Sequence, residues 1–272
     1  EQMAALSRQV AHAKANAPYF GEVLKEVDAA AITSREALAT LPVTRKSDLI
    51  KRQAETSPFG GLNGVDVGLV SHIFQSPGPI YEPSGTISDY WRMARSFWAA
   101  GIRPGMIVHN TFSYHLTPAG MMMDAGARAI GCPVFPGGIG NTEQQIAAIL
   151  HLKPQAYAGT PSFLKILLDK AAEAGVKPSY KSAAVGGEAL LPPVRQSIID
   201  HGVTVLQGYG TADLGLIAYE TKAMEGLVMD EGALVEIVRP GSGDPVADGE
   251  VGEVVVTILN ETYPLVRFAT GD

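Results

Sequence analysis

Apolar positions along this chain recur with two spacings, one suited to helices and one to strands. Over residues 1–57 the helical spacing dominates. Ala4, Ala5, Val10 and Ala11 share a face, and Pro18 ends that run. Residues 41–44 (LPVT) read as a turn, with Thr44 or Ser47 capping a short helix at Asp48, Leu49 and Ile50. Residues 57–68 are rich in glycine and turn formers and read as a connector. From residue 69 the spacing alternates in a regular rhythm. Strands are predicted at 69–74, 106–109, 132–135, 155–158, 182–185 and 203–207. Helices are predicted at 88–100, 118–130, 142–152, after the Thr160 cap with Pro161 at its first position, and at 193–200. Thr142 and Gln145 have the spacing of a capping box, and Gly101 and Gly175 sit where helices stop.

Strands alternating with helices of this length predict βαβ units, hence a doubly wound, mainly parallel α/β sheet with flanking helices. Beyond Gly226 the pattern changes to alternating strands at 233–238, 251–259 and 265–268, with turns at 241–244 and 248–249. These predict a C-terminal antiparallel β portion. The expected organisation is a helical segment over 1–68, an α/β core over 69–215 and a β-rich portion over 216–272.

Composition narrows the class. Hydrophobic residues make up 46% and charged residues 18% of 272, and the formal net charge is −7. Thirty glycines exceed the usual share of about 7%. This excludes a disordered chain, a collagen and a coiled coil. The acidic balance, with no basic run longer than residues 44–46, argues against a nucleic-acid partner. No run of eighteen apolar residues is present, so no membrane span is expected. The single Cys132 excludes an internal disulfide and fits a reducing cytoplasm. The chain starts Glu1-Gln2-Met3, without an initiator Met at position 1, and reads as cut from a longer protein.

In doubly wound sheets ligands bind beyond the carboxyl ends of the strands. Three successive predicted strands end there in glycine-rich polar turns: Gly159-Thr160-Pro161, Gly186-Gly187-Glu188, and Gly208-Tyr209-Gly210-Thr211-Ala212-Asp213. Glycine at a strand end lets a ligand approach the backbone and leaves amides free to bind it. It also ends many strands simply to make the turn, but three in adjacent units favour a crevice. There is no Gly-Lys pair and so no Walker A loop. Gly208 and Gly210 lack the third glycine of a dinucleotide fingerprint, and no Gly-x-Ser-x-Gly elbow is present. Of the six histidines, His115 alone follows a strand at its carboxyl end, and none shows metal-ligand spacing.

At these turns the chain resembles the adenylate-forming superfamily, in particular its phenylacetate–coenzyme A ligase-like branch. Residues 10–20 (VAHAKANAPYF) and 41–49 (LPVTRKSDL) resemble that branch's N-terminal helices. Residues 186–189 (GGEA) resemble its adenine-contacting turn, 209–213 (YGTAD) its Tyr-Gly-x-[Ser/Thr]-Glu motif, and 263–272 (YPLVRFATGD) its ribose-binding segment. The resemblance implies an ATP-dependent ligase that joins a carboxylate to AMP and then passes the acyl group to coenzyme A. It implies nucleotide contacts from Gly186, Gly187, Glu188, Ala189, Gly208, Gly210 and Thr211, with Tyr209 stacked on adenine. Asp272 would hold the ribose with Arg267 nearby, and Asp213 would meet Mg²⁺. Phe112, Tyr114, His115 and Gly208 would line an acyl pocket for an aromatic or short acid. ATP or AMP, Mg²⁺ and coenzyme A are the implied cofactors, a homodimer is left open, and the location is cytoplasmic. Residues 219–224 lack the Cys and His ligands of some branch members, so no zinc is expected.

Two departures keep a second reading open. Where the family's phosphate loop has hydroxyls, glycines and a lysine, residues 76–83 read SPGPIYEP. Ser76 and Gly78 remain, the prolines lack amide donors, and Glu82 stands for the lysine. A carboxylate beside a polyphosphate is repulsive, by about 1 kcal/mol at 4 Å even in water. The residue before Asp213 is Ala212 rather than a hydroxyl residue. The chain also stops near the family's hinge, before the small C-terminal domain that carries the adenylation lysine, so no catalytic residue is assigned. The alternative is therefore a degenerate module that holds AMP, an acyl-adenylate or an acyl-CoA without making it. A dehydrogenase using the same crevice is a third, weaker reading.

Overall fold

The computed structural model describes residues 2–272. Two compact units divide them: the chain up to Thr86 with Met229–Asp272, and Ile87–Val228. In the first unit, α1 (Gln2–Asn16) and α2 (Pro18–Val23) follow one another, with Pro18 opening α2 rather than merely ending α1. Leu6, Val10, Ala13 and Phe20 are buried along them. After α3 (Arg35–Ala39), capped by the Ser34 hydroxyl, Thr44, expected to end a turn over 41–44 or to cap a helix, opens a strand instead, and Arg45 continues it. They form β1 (Thr44–Arg45), followed by α4 (Leu49–Glu55), β2 (His72–Ser76) and β3 (Ile80–Ser84).

The second unit begins with α5 (Ala94–Ala99), shorter than the predicted 88–100. The Asp89 carboxylate accepts from the Met93 and Ala94 amides at 2.8 and 2.9 Å, so the helix opens there. Then come β4 (Val108–Asn110), α6 (Ala119–Ala129), β5 (Val134–Pro136) and α7 (Thr142–Leu152). The capping box of α7 does not form. Asn141 takes the cap position in the left-handed region, and the Gln145 amide donates to the Gly138 and Gly140 carbonyls instead. β6 (Ala156–Gly159), α8 (Pro161–Glu173), β7 (Ser182–Val185), α9 (Pro192–Asp200) and β8 (Thr204–Thr211) follow the predicted rhythm. β8 runs past the predicted end at 207 because it turns back through a hairpin into β9 (Gly215–Glu220), a strand absent from the sequence reading.

These strands and β10 (Leu227–Met229) make a seven-stranded sheet of order β10-β9-β8-β7-β6-β4-β5. The five strands from β5 to β8 run parallel, and β9 is antiparallel to β8. The order reverses between β4 and β6, since β5 lies outside β4 while β6 to β8 build the other way. Right-handed crossovers then put α6 on one face and α7, α8 and α9 on the other. Ile149, Leu164, Leu167, Leu168 and Ile198 from those three helices pack on Tyr157, Ala183, Val185 and Val205 of the sheet.

The first unit is completed by β11 (Ala233–Val238), β12 (Glu253–Ile258) and β13 (Phe268–Ala269). They form a sheet of order β1-β13-β12-β11, with β1 parallel to β13 and the other pairs antiparallel. The antiparallel portion expected at the C-terminus is thus joined by residues 44–45 from the N-terminal segment. Among the described residues no helix is long and apolar enough to cross a membrane.

Arg267 locks this unit from inside. It is 2% exposed and sits at φ 44°. Its Nε donates to Glu236 at 3.1 Å, and a terminal nitrogen lies 3.0 Å from the other Glu236 oxygen. Its remaining donors reach the carbonyls of Ala39, Leu41 and Gly243 at 2.8, 2.5 and 2.7 Å. Four of its hydrogen bonds and the ion pair with Glu236 thus stay within the unit. Arg267, expected near a ribose, is here a buried group that ties β13 to the N-terminal segment and to β11. Burial raises the Glu236 pKa and the guanidinium opposes that shift. Arg267→Met, which leaves the buried carboxylate uncompensated, is expected to cost about 3–5 kcal/mol in urea unfolding. The double variant Arg267→Met/Glu236→Leu should recover part of the loss.

Candidate functional site

The parallel strands place four chain reversals side by side. Across β4, β6, β7 and β8 the register aligns Asn110 with Ala158, Ala184 and Leu206. One residue further on lie Thr111, Gly159, Val185 and Gln207, where the Thr111 amide donates to Ala158 O at 2.8 Å. The Gly186 amide donates to Gly159 O at 3.2 Å, so the ladder continues into the turns. The three glycine turns are therefore neighbours in space as in sequence, and the Phe112–His115 segment joins them at β4, beside the point where strand order reverses.

The chain's own packing needs several of these glycines. A Cβ on Gly159 would lie 2.0 Å from Thr111 Oγ1 and 2.2 Å from the Tyr157 hydroxyl. One on Gly210 would lie 2.5 Å from Gly215 O, and one on Gly186 3.0 Å from Gly208 O. Gly187 differs: its φ is 77°, it is exposed, and a Cβ would meet the Phe112 ring at 3.3 Å and Thr160 at 3.8 Å. Phe112 thus covers the turn after β7, and the half-buried Tyr209 lies on β8 at a bulge opposite Ala218. Two partly exposed aromatic rings and the open backbone of residues 187–189 make the rim.

Other candidate side chains already have internal partners. Glu188 accepts the Ser162 amide at 2.7 Å, adding a carboxylate to the first turn of α8 beside the Thr160 cap. The Tyr114 hydroxyl takes the Asn110 amide at 2.7 Å, and its ring packs where a Cβ on Gly120 would be. Burial pushes its pKa up to about 12. His115 is exposed on the loop, where its amide donates to Ser113 Oγ at 3.1 Å. Thr211 Oγ1 accepts the Leu214 amide inside the β8–β9 turn, and Asp213 is 6% exposed in the same turn. Among the described residues no group of three or more His, Cys, Asp or Glu could hold a metal.

In the first unit, the altered loop is a hairpin. β2 pairs with β3 through Phe74 with Glu82 and Ser76 with Ile80, turning at Pro77-Gly78-Pro79. A Cβ on Gly78 would lie 2.8 Å from the Ile80 side chain. The Gln53 side chain holds both the amide and the carbonyl of Tyr81 at 2.8 Å. Glu82 is 1% exposed and its carboxylate accepts the Ser76 hydroxyl. Sequence reading sets this carboxylate beside a polyphosphate; in the structure it is an interior group. Asp272 is exposed, with its amide on Thr270 Oγ1 at 3.2 Å.

A polar network under the β4–β6 rim escaped the sequence reading. Asn110 is fully buried, donates to Gly120 O at 2.8 Å as well as to Tyr114, and accepts the Phe112 amide. Thr111 and Tyr157 share a hydroxyl contact of 2.7 Å, and Tyr157 also reaches Thr160 O at 3.1 Å. His109 is fully buried, its Nδ1 lying 2.5 Å from the Tyr180 hydroxyl. Burial lowers its pKa to about 4, with Gln145 opposing the shift, so it is neutral and out of reach of solvent. The available signal was the set of polar residues inside otherwise apolar strands.

Comparison with known proteins fits this arrangement. The sequence profile of the AMP-binding enzyme family matches residues 109–258, a span containing all four turns. The chain belongs to that family. The phenylacetate–coenzyme A ligase of Thermus thermophilus is 31% identical over 98% of this chain and 63% of its own length. That of Pseudomonas putida is 31% identical over 100% of this chain and 65% of its own. The chain therefore spans slightly under two thirds of these relatives. An open 2-hydroxyisobutyryl-CoA ligase in complex with 2-HIB-AMP and CoA superposes with a TM-score of 0.90 at 25% identity, covering 100% of this chain and 63% of that one. An anthranilate CoA ligase in complex with anthranoyl-AMP shares the fold, at 0.58 and 19% identity over 72% of this chain and 40% of its own. This AMP-binding family member thus falls in the phenylacetate–CoA ligase-like branch of the adenylate-forming superfamily.

Two outcomes follow from the geometry. Gly159→Ala should destabilise the protein by about 3 kcal/mol or more, read by thermal unfolding, because the added methyl would strike the buried Thr111 and Tyr157 side chains. His109 has a depressed native pKa, so its contribution is present above pH 6.5 and is lost as pH falls toward 4. That difference is worth about 3 kcal/mol. Urea unfolding at pH 7 and pH 4.5 should show His109→Asn losing less stability than wild type over that interval.

Proposed function

We propose that the chain is the large N-terminal domain of an ATP-dependent ligase. It activates an aromatic or short carboxylic acid as the acyl-adenylate and transfers the acyl group to coenzyme A. The observation that supports this most is the alignment of β4, β6, β7 and β8, whose carboxyl-end turns fall inside the AMP-binding match. Tyr209 offers an aromatic face to adenine, and residues 186–189 with Gly208, Gly210 and Thr211 offer backbone groups alongside. Asp272 takes the ribose diol. Phe112 and Gly208 bound the acyl group, with Tyr114 and His115 on the same segment. A Mg²⁺ ion would arrive with the nucleotide phosphates, and Asp213 is the one carboxylate of this motif able to meet it. The reading places the protein in the cytoplasm, where ATP and coenzyme A are supplied.

The hairpin at 72–84 favours one second reading, a module that holds AMP or an acyl-adenylate without forming it. A rigid turn with two prolines and an interior Glu82 lacks the lysine and several amides a triphosphate would use. Pyrophosphate exchange with the full-length protein across a panel of carboxylic acids separates the two. Exchange with at least one acid supports the ligase. Silence with every acid, together with calorimetric binding of AMP but not Mg·ATP, supports the module. Tyr209→Ala should weaken AMP binding about tenfold, in line with roughly 1–3 kcal/mol for a stacked base. Unchanged affinity would remove adenine from this rim.

A further inference from the structure

The turn after β7 is open where it faces outward and is tied down at its ends. Gly187, Glu188 and Ala189 are exposed, and their three successive amides have no acceptor among the described residues. At the near end the Gly186 amide continues the ladder onto Gly159 O at 3.2 Å. At the far end the Leu190 amide donates to Gln207 Oε1 at 3.2 Å, and the Leu190 side chain is buried in the core beneath the helices. Between these ends the turn makes one backbone bond of its own, from the Leu191 amide to Ala189 O at 3.1 Å. A backbone that keeps its donors unpaired gains little rigidity from its own hydrogen bonds, so its shape depends on its anchors.

Gln207 is the anchor at Leu190, and its side-chain amide has to face the right way. It sits on β8 level with Val185, the last residue of β7, and two residues before Tyr209. The two ends of such an amide have nearly the same shape, but only the oxygen can accept the Leu190 N–H. Glu220, the last residue of β9, decides between them. It is 7% exposed, and its Oε1 accepts Gln207 Nε2 at 3.2 Å while its Oε2 accepts the Gln207 backbone amide at 2.9 Å. A carboxylate carries no donor, so the nitrogen end of Gln207 turns to Glu220 and the oxygen end is left for Leu190. Arg195 of α9 fixes the carboxylate in turn. One terminal nitrogen lies 2.6 Å from Glu220 Oε1 and the other donates to Val205 O at 3.1 Å. Burying this charge is costly without a partner, and Arg195 supplies one.

We propose that Glu220 is a positioning residue for the crevice. Acting through Gln207, it holds Leu190 and so presents the open backbone of residues 187–189 to the nucleotide. The link to the nucleotide rests on the reading of residues 186–189 as the adenine turn, whereas the fixing of the turn does not. Two variants of the full-length protein separate these parts. Glu220→Gln keeps the shape but puts a donor where two acceptors stood, and Gln207→Met keeps the length but removes the acceptor for Leu190. In the ligand-free protein, hydrogen exchange at the Leu190 amide should become about tenfold faster in both, the worth of one hydrogen bond. The dissociation constant for AMP, read by calorimetry, should rise about fivefold in both. Ile198→Val trims a buried side chain of α9 that touches none of these groups, and lowers the melting temperature through the core alone. It should leave both readouts where they are in the wild type. Unchanged Leu190 exchange in Gln207→Met, which acts even if Glu220→Gln fails to fold, would overturn the proposal. So would faster exchange with unaltered AMP affinity, or equal effects from Ile198→Val. A wild-type protein that does not bind AMP would instead sink the adenine reading, and Leu190 exchange would still decide whether Glu220 sets the turn.

Discussion

The second unit is organised by how closely its strand ends approach one another. Four parallel strands must deliver their chains to one rim, and the register leaves no space there for side chains at Gly159 or Gly210 and little at Gly186. Once these positions are bare, the ladder passes into the turns, Phe112 can lie over Gly187, and the backbone of residues 187–189 stays open. The glycines are therefore first a packing requirement. The accessible rim is what that requirement leaves behind, which is why the two readings of glycine at a strand end are not rivals here.

The rim rests on a polar layer that is neutral throughout. His109 is held uncharged by burial, and burial likewise raises the pKa of Tyr157 and Tyr180. Each hydroxyl is engaged with a neighbour, as buried polar groups must be. A charged residue in this layer would carry a large desolvation cost, so polarity without charge is the form in which strands β4 and β6 can be tied together. In the first unit the same problem has a different solution, a buried ion pair of Arg267 with Glu236 whose guanidinium also donates to three backbone carbonyls.

The sheet was legible because its evidence is repeated. Alternating apolar spacings over residues 106–207 fix element type again and again, and the cap at Thr160 and stop at Gly175 appear as read. The turns that carry the family resemblance were legible as local strings. What escaped depends on partners distant in sequence. Nothing local to Thr44 announces pairing with Phe268, and nothing local to Arg267 shows that Ala39, Leu41 and Gly243 will receive its donors. Glu82 read as a charge beside the phosphates because it stands for a lysine, but its strand position turns it inward onto Ser76. Gln145 had the spacing of a cap and went instead to the carbonyls of a glycine loop. The β8–β9 hairpin was missed because Gly210, whose bare Cα lets the partner strand come close at Gly215 O, read as a turn residue.

Glu188 links two neighbouring βα units in a way that bears on motion. Its backbone belongs to the turn after β7, while its carboxylate closes the first turn of the helix that follows β6. Lifting that turn by even an ångström would release the Ser162 amide and loosen the start of α8. One carboxylate therefore ties the turn after β7 to the start of the neighbouring helix, so the two cannot shift apart without giving up a charge-assisted bond.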